Sequence, residues 1–162
     1  METPLCSAMY DSPLGPITIS ATERGVSRVS FSSDEVAIDS RVSNAHIERC
    51  LGELNEYFSG RRRTFDVPLA LGGTAFEARV WQALLAVPFG DTCSYLDIAN
   101  SIRNPKAIRA VGRANGANPI GILVPCHRVI GSDGSLVGYA GELWRKRWLL
   151  DHEARIAGTQ LF

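Results

Sequence analysis

Closely spaced cysteine pairs and long apolar runs are missing from this sequence of 162 residues, and its first residues do not have the pattern of a leader peptide. Its four cysteines are widely spaced without a C-x-x-C pair, and its three histidines lack metal-ligand spacing, which argues against a disulfide framework and a zinc site. Apolar stretches near the middle, such as Ile120–Val124 with Gly121 inside it, are only about five residues long, whereas a membrane-spanning helix needs about 20 residues. Because no basic region with an apolar core opens the chain, we expect a cytoplasmic or nucleoid-associated protein with reduced thiols.

Net charge is also absent, but the charged residues are distributed unevenly. Residues 1–93 hold eight basic and twelve acidic side chains, and residues 94–162 hold nine and five. Between Ser94 and Ser132, Asp97 is the only acidic residue. A basic half within a neutral protein favours an anionic partner for that half, although a solvated face whose sign is accidental would give the same pattern.

Residues 1–72 have the pattern of a small α/β unit. Short β-type runs separated by Gly- and Pro-marked turns predict an antiparallel meander. The strands are expected over Leu5–Tyr10, Ile17–Ala21 and Val26–Phe31. Apolar residues then recur at helical spacing between Ile47 and Phe58, which predicts an amphipathic helix. A final strand is expected over Thr64–Leu69, before a linker at residues 71–73.

Residues 73–162 have the pattern of a helical unit with one short buried strand over Ile120–Val124. Capping residues and apolar periodicity predict the helices. One helix opens at the capping box Thr74–Glu77, and a second covers Tyr95–Ile102 after a cap at Ser94. A third begins at Asn104-Pro105, and the last spans Leu143–Glu153. The two short central helices are joined by a turn, which is the outline of a helix-turn-helix.

The helix predicted after Asn104-Pro105 has Ala, Gly, Arg and Asn at its outer positions. Small residues let its backbone approach a surface closely, and arginine supplies phosphate contacts. Ile108 and Val111 are expected to anchor this helix to the rest of the protein. Because it has few long polar side chains for reading bases, we expect nucleic-acid binding with weak sequence selectivity, typical of an enzyme or an architectural protein. A merely exposed helix held by tertiary packing is the alternative.

Cys126 stands between Pro125 and the pair His127-Arg128, where the cationic neighbours are expected to favour the thiolate. Adjacent residues of an extended chain point to opposite sides, so either the backbone turns here or a water joins the thiol to the imidazole. A carboxylate would complete a Cys–His–acid relay. The candidates are Glu142, Asp151 and Glu153. On these residues alone, a structural cysteine is the alternative.

The segment Pro125–Val129 resembles the active-site signature of the O6-alkylguanine-DNA alkyltransferases, the methylated-DNA–protein-cysteine methyltransferases that repair DNA by a suicide reaction. Further matching segments occur in the same order and spacing. They are Ser94-Tyr95, Asn104–Ala107, Arg109–Gly112, Asn118-Pro119, Gly138–Gly141 and Leu149–Glu153. The resemblance is dense over residues 73–153, whereas the N-terminal unit fits by size and outline. It departs at Glu142, where family members commonly carry a second glycine.

The resemblance implies an α/β fold in two domains. Residues 1–72 would form a ribonuclease-H-like antiparallel sheet with a helix, and residues 73–162 a winged helix-turn-helix that holds the DNA-binding and active sites. The implied reaction is one irreversible transfer of the alkyl group from O6-alkylguanine, and from O4-alkylthymine, in a flipped-out nucleotide to Cys126, with no metal or organic cofactor. The implied partner is double-stranded DNA, which a monomer would bind through the minor groove with weak sequence preference.

The resemblance also implies roles for individual side chains. Cys126 would accept the alkyl group, His127 would take the thiol proton through water, and Glu153 would orient the imidazole. Tyr95 would donate a proton to the departing guanine, and Asn118 would hold the active-site segment. The DNA contacts would come from Ser94, Lys106, Arg109, Ala110 and Arg113, with Arg109 filling the gap left by the extruded nucleotide. The base pocket would be lined by Val129, Tyr139, Ala140 and Gly141.

Two other functions compete with this one. A lesion-binding protein of the alkyltransferase-like kind would lack the acceptor cysteine, so Cys126 argues against it. A helix-turn-helix regulator with a structural cysteine would prefer one operator sequence. Within the leading interpretation, the carboxylate of Glu142 near the pocket rim is expected to affect substrate range or DNA affinity more than activity. The three tryptophans, Trp81, Trp144 and Trp148, are expected to pack in the core or between helices.

Overall fold

The computed structural model describes residues 6–31 and 44–159. It divides the chain into two compact units, Met1–Gly72 and Gly73–Phe162. Leu5, at the start of the first predicted strand, lies outside the described residues. Across the described ranges, every helix is too short or too polar to cross a membrane.

The N-terminal unit begins with an antiparallel meander, as predicted. Its strands β1 (Cys6–Ser12), β2 (Gly15–Ala21) and β3 (Val26–Ser30) pair in sequence order. Ser12 pairs with Gly15 across a two-residue turn. Gly15 has a φ of +105°, a conformation open mainly to glycine, which explains why the turn sits at this position.

Helix α1 (Ala45–Phe58) covers the sheet of the N-terminal unit. The side chain of Asn44 caps it by accepting hydrogen bonds from the backbone N–H groups of residues 46 and 47, at 2.8 and 3.3 Å. Its apolar stripe is buried, as the periodicity predicts, and consists of Ile47, Cys50, Leu54 and Tyr57. The sheet contributes the opposite side of this core, with Ile17 and Ile19 fully buried.

The strand predicted over Thr64–Leu69 does not form, so that prediction was wrong. Pro68 has no N–H to donate to a ladder. The N–H groups of residues 66–67 instead donate to the buried carboxylate of Glu53, at 2.8 and 3.1 Å. One isolated parallel bridge to Val26 is all that connects the segment to the sheet. Val67 is thus buried, and Phe65 and Leu69 half-buried, without extended pairing.

Replacing Glu53 with methionine is expected to lower the free energy of unfolding by about 2–4 kcal/mol, because one buried and one part-buried N–H group lose a charged acceptor. The matched control is Arg49→Met, since the Arg49 side chain donates to Glu53 at 3.0 Å but is 53% exposed. We expect the control to cost less than about 1 kcal/mol. Urea unfolding followed by circular dichroism measures both, and equal losses would contradict this account.

The C-terminal unit contains helices α2 (Ala75–Leu85), α3 (Tyr95–Ser101), α4 (Ile108–Gly116) and α5 (Leu143–Ala157), with a short parallel pair β4 (Cys93–Ser94) and β5 (Val129–Ile130). Helices α2, α3 and α4 pack against one another. Their buried contacts come from Val80, Trp81 and Leu84 of α2, Ile98 of α3 and Val111 of α4. Helices α3 and α4 with their turn form the predicted helix-turn-helix.

The N-caps predicted at Thr74 and Ser94 are confirmed, whereas the cap predicted at Asn104 was wrong because Ala107 holds that position before α4. The Thr74 hydroxyl accepts from the Glu77 N–H at 3.1 Å, and the Glu77 carboxylate accepts from the Thr74 N–H at 2.9 Å. Ser94 makes the same reciprocal pair with Asp97, at 3.0 and 2.8 Å. These capping boxes fix where α2 and α3 begin.

Helix α4 begins later than predicted. The Ala107 N–H donates to the Asn104 carbonyl at 3.0 Å, so these residues form a turn with Pro105 at its second position, a place that proline favours. The helix then starts at Ile108. The prediction that Ile108 anchors the helix was also wrong, because its side chain is 42% exposed and the buried face begins one turn later, at Val111.

The run Ile120–Val124 is buried but is not a strand, contrary to the prediction. It is folded into consecutive turns, in which the Val124 N–H donates to the Ile120 carbonyl at 3.0 Å. Ile122 has a φ of +69°, in the left-handed region that a β-branched residue rarely adopts. An apolar run specifies burial, and here the chain curls instead of extending as it enters the segment of Cys126.

Candidate active site

Cys126 lies on a single turn of 3₁₀-helix, Cys126–Arg128, so the backbone turns at this point. Its side chain is 7% exposed. The Cys126 N–H donates to the Val124 carbonyl at 2.8 Å, which ties the thiol segment to the preceding buried turns. The hydrogen-bonded backbone turn therefore sets the position of the sulfur, in surroundings that are largely shielded from solvent.

Two asparagines hold this turn from the side of α4. Asn118 donates to the Val124 carbonyl at 2.8 Å and accepts from the Ile120 N–H at 3.0 Å, and its side chain also hydrogen-bonds to the thiol. Asn115 donates to the Cys126 carbonyl at 3.4 Å. Asn115 was predicted among the outer residues of the helix, and this prediction was wrong because it is 5% exposed. Its position four residues after the buried Val111 was the signal for an inward orientation.

His127 and Glu153 form a buried pair beside the thiol segment. The imidazole Nε2 lies 2.7 Å from the Glu153 carboxylate, and both side chains are almost fully inaccessible. Arg128 donates to both carboxylate oxygens, at 2.7 and 3.1 Å. Burial alone would raise the pKa of the Glu153 carboxyl, but His127 and Arg128 outweigh it and hold that pKa well below its usual range.

The protonation state of His127 follows from these contacts. Burial lowers the pKa of its imidazole despite the nearby Glu153 carboxylate, so the ring is neutral at neutral pH. Because the ionised carboxylate accepts a hydrogen bond, Nε2 carries the proton and Nδ1 is the basic nitrogen. Nδ1 has no hydrogen-bond partner among the described residues. His127 is thus arranged to accept a proton at Nδ1.

Of the three carboxylates that the sequence left open for the relay, Glu153 is the one bonded to the imidazole. Asp151 instead pairs with Arg147 at 3.3 Å on the exposed side of α5. Glu142 accepts from the indole N–H of Trp144 at 2.8 Å. The contact between residues 127 and 153 is long-range in the chain, which is why spacing could not choose among them.

Lys146 is a buried cation near the thiol that was not predicted from the sequence. Its side chain is fully buried, and its ammonium group donates to three backbone carbonyls. They belong to Val129, Val137 and Gly138, at 2.6, 2.9 and 3.1 Å. Burial lowers the pKa of Lys146 to about 8, while the Cys126 charge opposes this. Its spacing of i, i+3, i+4, i+7 with the buried Leu149, Leu150 and Glu153 was the available signal.

The electrostatics of the thiol differ from the sequence expectation. Burial raises the pKa of Cys126, and the hydrogen bond from Asn118 and the charge of Lys146 lower it. The expected contribution from His127 and Arg128 was wrong, because burial keeps His127 neutral and Arg128 is paired with a carboxylate. The cation that favours the thiolate therefore comes from α5 and not from the adjacent residues.

The other cysteines lie in unfavourable surroundings for a thiolate. Burial raises the pKa of Cys50 to about 12 and that of Cys93 to about 11, in each case with a further increase from a nearby carboxylate. Burial also raises the pKa of Cys6. Cys126 is thus the one thiol with neighbours that counteract burial, and its pKa remains raised above the ordinary thiol value. Within the described residues, no three His, Cys, Asp or Glu side chains are grouped so that they could hold a metal ion.

Tyr95, at the start of α3, contacts the loop that precedes α5. Its hydroxyl donates to the Val137 carbonyl at 3.0 Å. Burial and the Cys126 charge raise its pKa, so the hydroxyl keeps its proton at neutral pH. The ring runs past two glycines, and a side chain at Gly138 would lie 3.5 Å from the hydroxyl. Its role as a proton donor to the guanine stays a prediction.

The predicted pocket residues differ in their exposure. Val129 is fully buried on β5. Burial raises the pKa of Tyr139, and the Cys126 charge raises it further. Ala140 is exposed and Gly141 is half-buried in the turn that follows. Their role as a base pocket stays a prediction.

The predicted DNA-contacting residues lie on or before α4, with one exception. Lys106, Arg109 and Arg113 are exposed, and Ala110 is half-buried between the two arginines. The side chain of Ser94 is instead committed to capping α3. The exposed part of α4 therefore combines positively charged side chains with the small side chain of Ala110.

Glu142 and the tryptophans add two observations. Glu142 has a φ of +77° and a ψ of 147°, a conformation close to a glycine-only region that costs a residue with a side chain about 1–3 kcal/mol. Trp81 is 2% exposed and donates to a carbonyl of α4, and Trp148 stacks on His152, as expected for packing residues. Trp144 is 52% exposed, so its predicted packing role was wrong. It lies off the buried stripe of α5.

Together, the fold and this site define a two-unit protein in which a helix-turn-helix adjoins a buried cysteine and a histidine–glutamate pair. Comparison with family models identifies both units. Residues 75–155 match the DNA-binding domain of 6-O-methylguanine DNA methyltransferase, and residues 5–71 match its ribonuclease-like domain. The chain therefore belongs to the family of methylated-DNA–protein-cysteine methyltransferases.

Individual relatives agree with this assignment. The methylated-DNA–protein-cysteine methyltransferase of Methanosarcina acetivorans is 47% identical over 150 residues, which cover 90% of this chain and 96% of that protein. The crystal structure of the Mycobacterium tuberculosis O6-methylguanine methyltransferase has a TM-score of 0.84 at 43% identity and 96% coverage of both chains. A structure of the Mycobacterium tuberculosis protein in complex with DNA has a TM-score of 0.80 at 44% identity, covering 91% of this chain and 92% of that chain.

Proposed function

We propose that this protein repairs DNA by a single, irreversible transfer of the alkyl group from O6-alkylguanine, and from O4-alkylthymine, to Cys126. The observation that carries the proposal is that Cys126 is the one thiol with neighbours that favour its ionisation, next to a buried His127–Glu153 pair. The named relatives transfer methyl groups from DNA to a protein cysteine. Because a thioether has no easy leaving path, each molecule acts once.

The chemistry is a displacement at the alkyl carbon. A bond forms between the Cys126 sulfur and the alkyl carbon as the bond from that carbon to O6 breaks. The thiol proton passes through water to Nδ1 of His127, whose Nε2–H is held by Glu153. Tyr95 donates a proton to the departing guanine, which offsets the charge developing on the purine. Overall, the alkyl group replaces the thiol proton, the guanine gains a proton from Tyr95, and the proton held by His127 returns through solvent to the Tyr95 oxygen.

Base flipping is required because of where the sulfur lies. Cys126 is 7% exposed, so it cannot reach O6 of a base stacked in a duplex. Extruding the nucleotide costs a few kcal/mol, and less for a poorly paired damaged base. The flipped base would enter a pocket lined by Val129, Tyr139, Ala140 and Gly141. Asn118 would hold the thiol segment in position next to this pocket.

The DNA partner would be bound by α4 in the minor groove. Its exposed arginines, Arg109 and Arg113, and Lys106 in the preceding turn supply phosphate contacts, while Ala110 allows a close approach. Ser94 would contribute at the start of α3. Because phosphate contacts dominate such an interface, we expect weak sequence preference and a steep fall in affinity with salt. The protein would act as a monomer, in the cytoplasm or at the nucleoid.

The test of the proposed function is the mass of the intact protein after mixing with a short duplex that contains O6-methylguanine. We expect an increase of one methylene unit on every active molecule, which peptide mapping assigns to Cys126. An unchanged mass would overturn the proposal. An adduct on Cys6, Cys50 or Cys93 would overturn the assignment of the acceptor.

Replacing Arg109 with alanine is expected to slow transfer from duplex DNA by about 100-fold, since the gap left by the extruded nucleotide is no longer filled. Transfer from free O6-benzylguanine base, which needs no extrusion, should change by less than about threefold. The matched control is Arg113→Ala, which removes a phosphate contact on the same helix and should weaken binding without a comparable loss of rate at saturating DNA. Equal losses on both substrates would contradict the role of Arg109.

A further inference from the structure

Three side chains at the start of α5 contact one another in sequence, and we call this group the outer clasp. Its members are Glu142, Trp144 and Arg145. The indole N–H of Trp144 donates to the Glu142 carboxylate at 2.8 Å. The Arg145 guanidinium lies over the indole ring, 4.6 Å from its centroid, a favourable cation–π distance. Arg145 also donates to the Gly141 carbonyl at 3.1 Å. The outer clasp therefore connects the first turn of α5 to the preceding loop.

The loop that the outer clasp holds includes three of the expected pocket residues. The Glu142 N–H donates to the Tyr139 carbonyl at 3.0 Å, which closes a turn over residues 139–142. From the inner side, the buried Lys146 grips the carbonyls of residues 137 and 138. The turn is thus fixed between an inner and an outer set of contacts from one helical turn of α5.

Neither burial nor local preference explains the outer clasp. Trp144 is 52% exposed, so it contributes little to a core. Glu142 adopts a φ of +77°, which favours glycine, and yet its carboxylate is engaged instead of pointing into solvent. Trp144 and Glu142 both help to hold the turn over residues 139–142 in its position. A constraint maintained against a backbone preference points to a role in the neighbouring site.

We propose that the outer clasp limits the size of the alkyl group that the pocket accepts, an inference that rests on the proposed function. A methyl group needs no displacement of the turn over residues 139–142. A large arylmethyl group needs the turn to move outward, which requires the bonds from Arg145 to Gly141 and from Trp144 to Glu142 to stretch or break. Glu142, Trp144 and Arg145 are in this account positioning residues that set selectivity and take no part in the reaction.

The test uses the full-length protein and two duplexes that differ only in carrying O6-methylguanine or O6-benzylguanine. Trp144→Phe keeps the ring under Arg145 but removes the N–H, and Glu142→Gly removes the carboxylate and the φ constraint. We expect both to raise the benzyl-to-methyl rate ratio by about tenfold, with the methyl rate within about threefold of the unchanged protein. The controls are Glu142→Gln, which keeps an oxygen acceptor for the indole, and Leu143→Ala, an exposed neighbour outside the outer clasp; both should leave the ratio within about twofold.

A second measurement separates this inference from the proposed function. Hydrogen exchange of the amides of residues 139–142 in the DNA-free protein should be about tenfold faster in Trp144→Phe and unchanged in Leu143→Ala. An unchanged rate ratio, or an equal fall of both rates, would overturn the inference while leaving the proposed function intact. Unchanged exchange would show that the outer clasp does not hold the turn. If the unchanged protein transfers neither group, the proposed function fails and the selectivity role fails with it.

Discussion

Replacing Cys126 with alanine is expected to abolish alkyl transfer completely, while affinity for duplex DNA stays within about twofold. The thiol is the stoichiometric acceptor, and burial keeps the thiols of Cys50 and Cys93 protonated, with pKa values of about 12 and about 11. Binding depends instead on the exposed charges of α4, which the substitution leaves in place. Intact mass measures the transfer, and fluorescence anisotropy of an O6-methylguanine duplex measures the binding.

The matched control for that result is Cys93→Ala, which should transfer the alkyl group as the unchanged protein does. An adduct in the Cys126→Ala variant would show that another residue is the acceptor. Loss of DNA binding together with transfer would tie the thiol to structure, as in a regulator with a structural cysteine. Strong preference for one operator sequence in a binding selection would favour that regulator as well.

Replacing Lys146 with methionine is expected to slow transfer near neutral pH by about 100- to 1,000-fold, because the cation that favours the thiolate is lost. The rate should rise with pH as the thiolate fraction grows. Since the ammonium group lowers the pKa of Cys126, its removal raises that pKa and moves the rise to higher pH. The rate of reaction with free O6-benzylguanine base, measured across the pH range, reports this displacement without a contribution from DNA binding.

Lys146 also holds three backbone carbonyls, so the controls must separate charge from structure. Lys146→Arg keeps a positive charge and should retain a pH profile closer to that of the unchanged protein. Thermal unfolding of both variants shows whether the fold survives. A lower rate with an unchanged pH profile would contradict the electrostatic role and leave Lys146 as a support for the loop at residues 137–138.

The parts of the fold that were predictable from the sequence are those set by local interactions. The meander follows from alternating β-type runs and tight turns, and the starts of α2 and α3 follow from the capping boxes at Thr74 and Ser94. The errors at Thr64–Leu69 and Ile120–Val124 have a common cause. An apolar run indicates burial, but whether it extends depends on which groups take its backbone hydrogen bonds, and Glu53 took them in the first case.

The site divides in the same way. The Cys126-His127 pair is visible as adjacent residues, and the family resemblance supplied Glu153, which spacing alone left among three carboxylates. The cation beside the thiol was assigned to the wrong residues because sequence neighbours were taken as spatial neighbours. Lys146 lies 20 positions away in the chain, and the packing of α5 brings its charge close enough to act on the thiol. Such a contact is a property of tertiary structure, although the apolar spacing around Lys146 marks it as buried.

The depth of the Cys126 sulfur has a consequence for how the protein is consumed. A molecule that works once is wasted whenever a stray electrophile in the surrounding solution reacts with it first. Only 7% of the residue is accessible, and burial raises the pKa of its thiol, so such encounters are rare. Access to the sulfur, more than the intrinsic nucleophilicity of the thiol, then decides which electrophile each molecule reacts with. The alkylated base gains that access because base flipping brings it into the pocket.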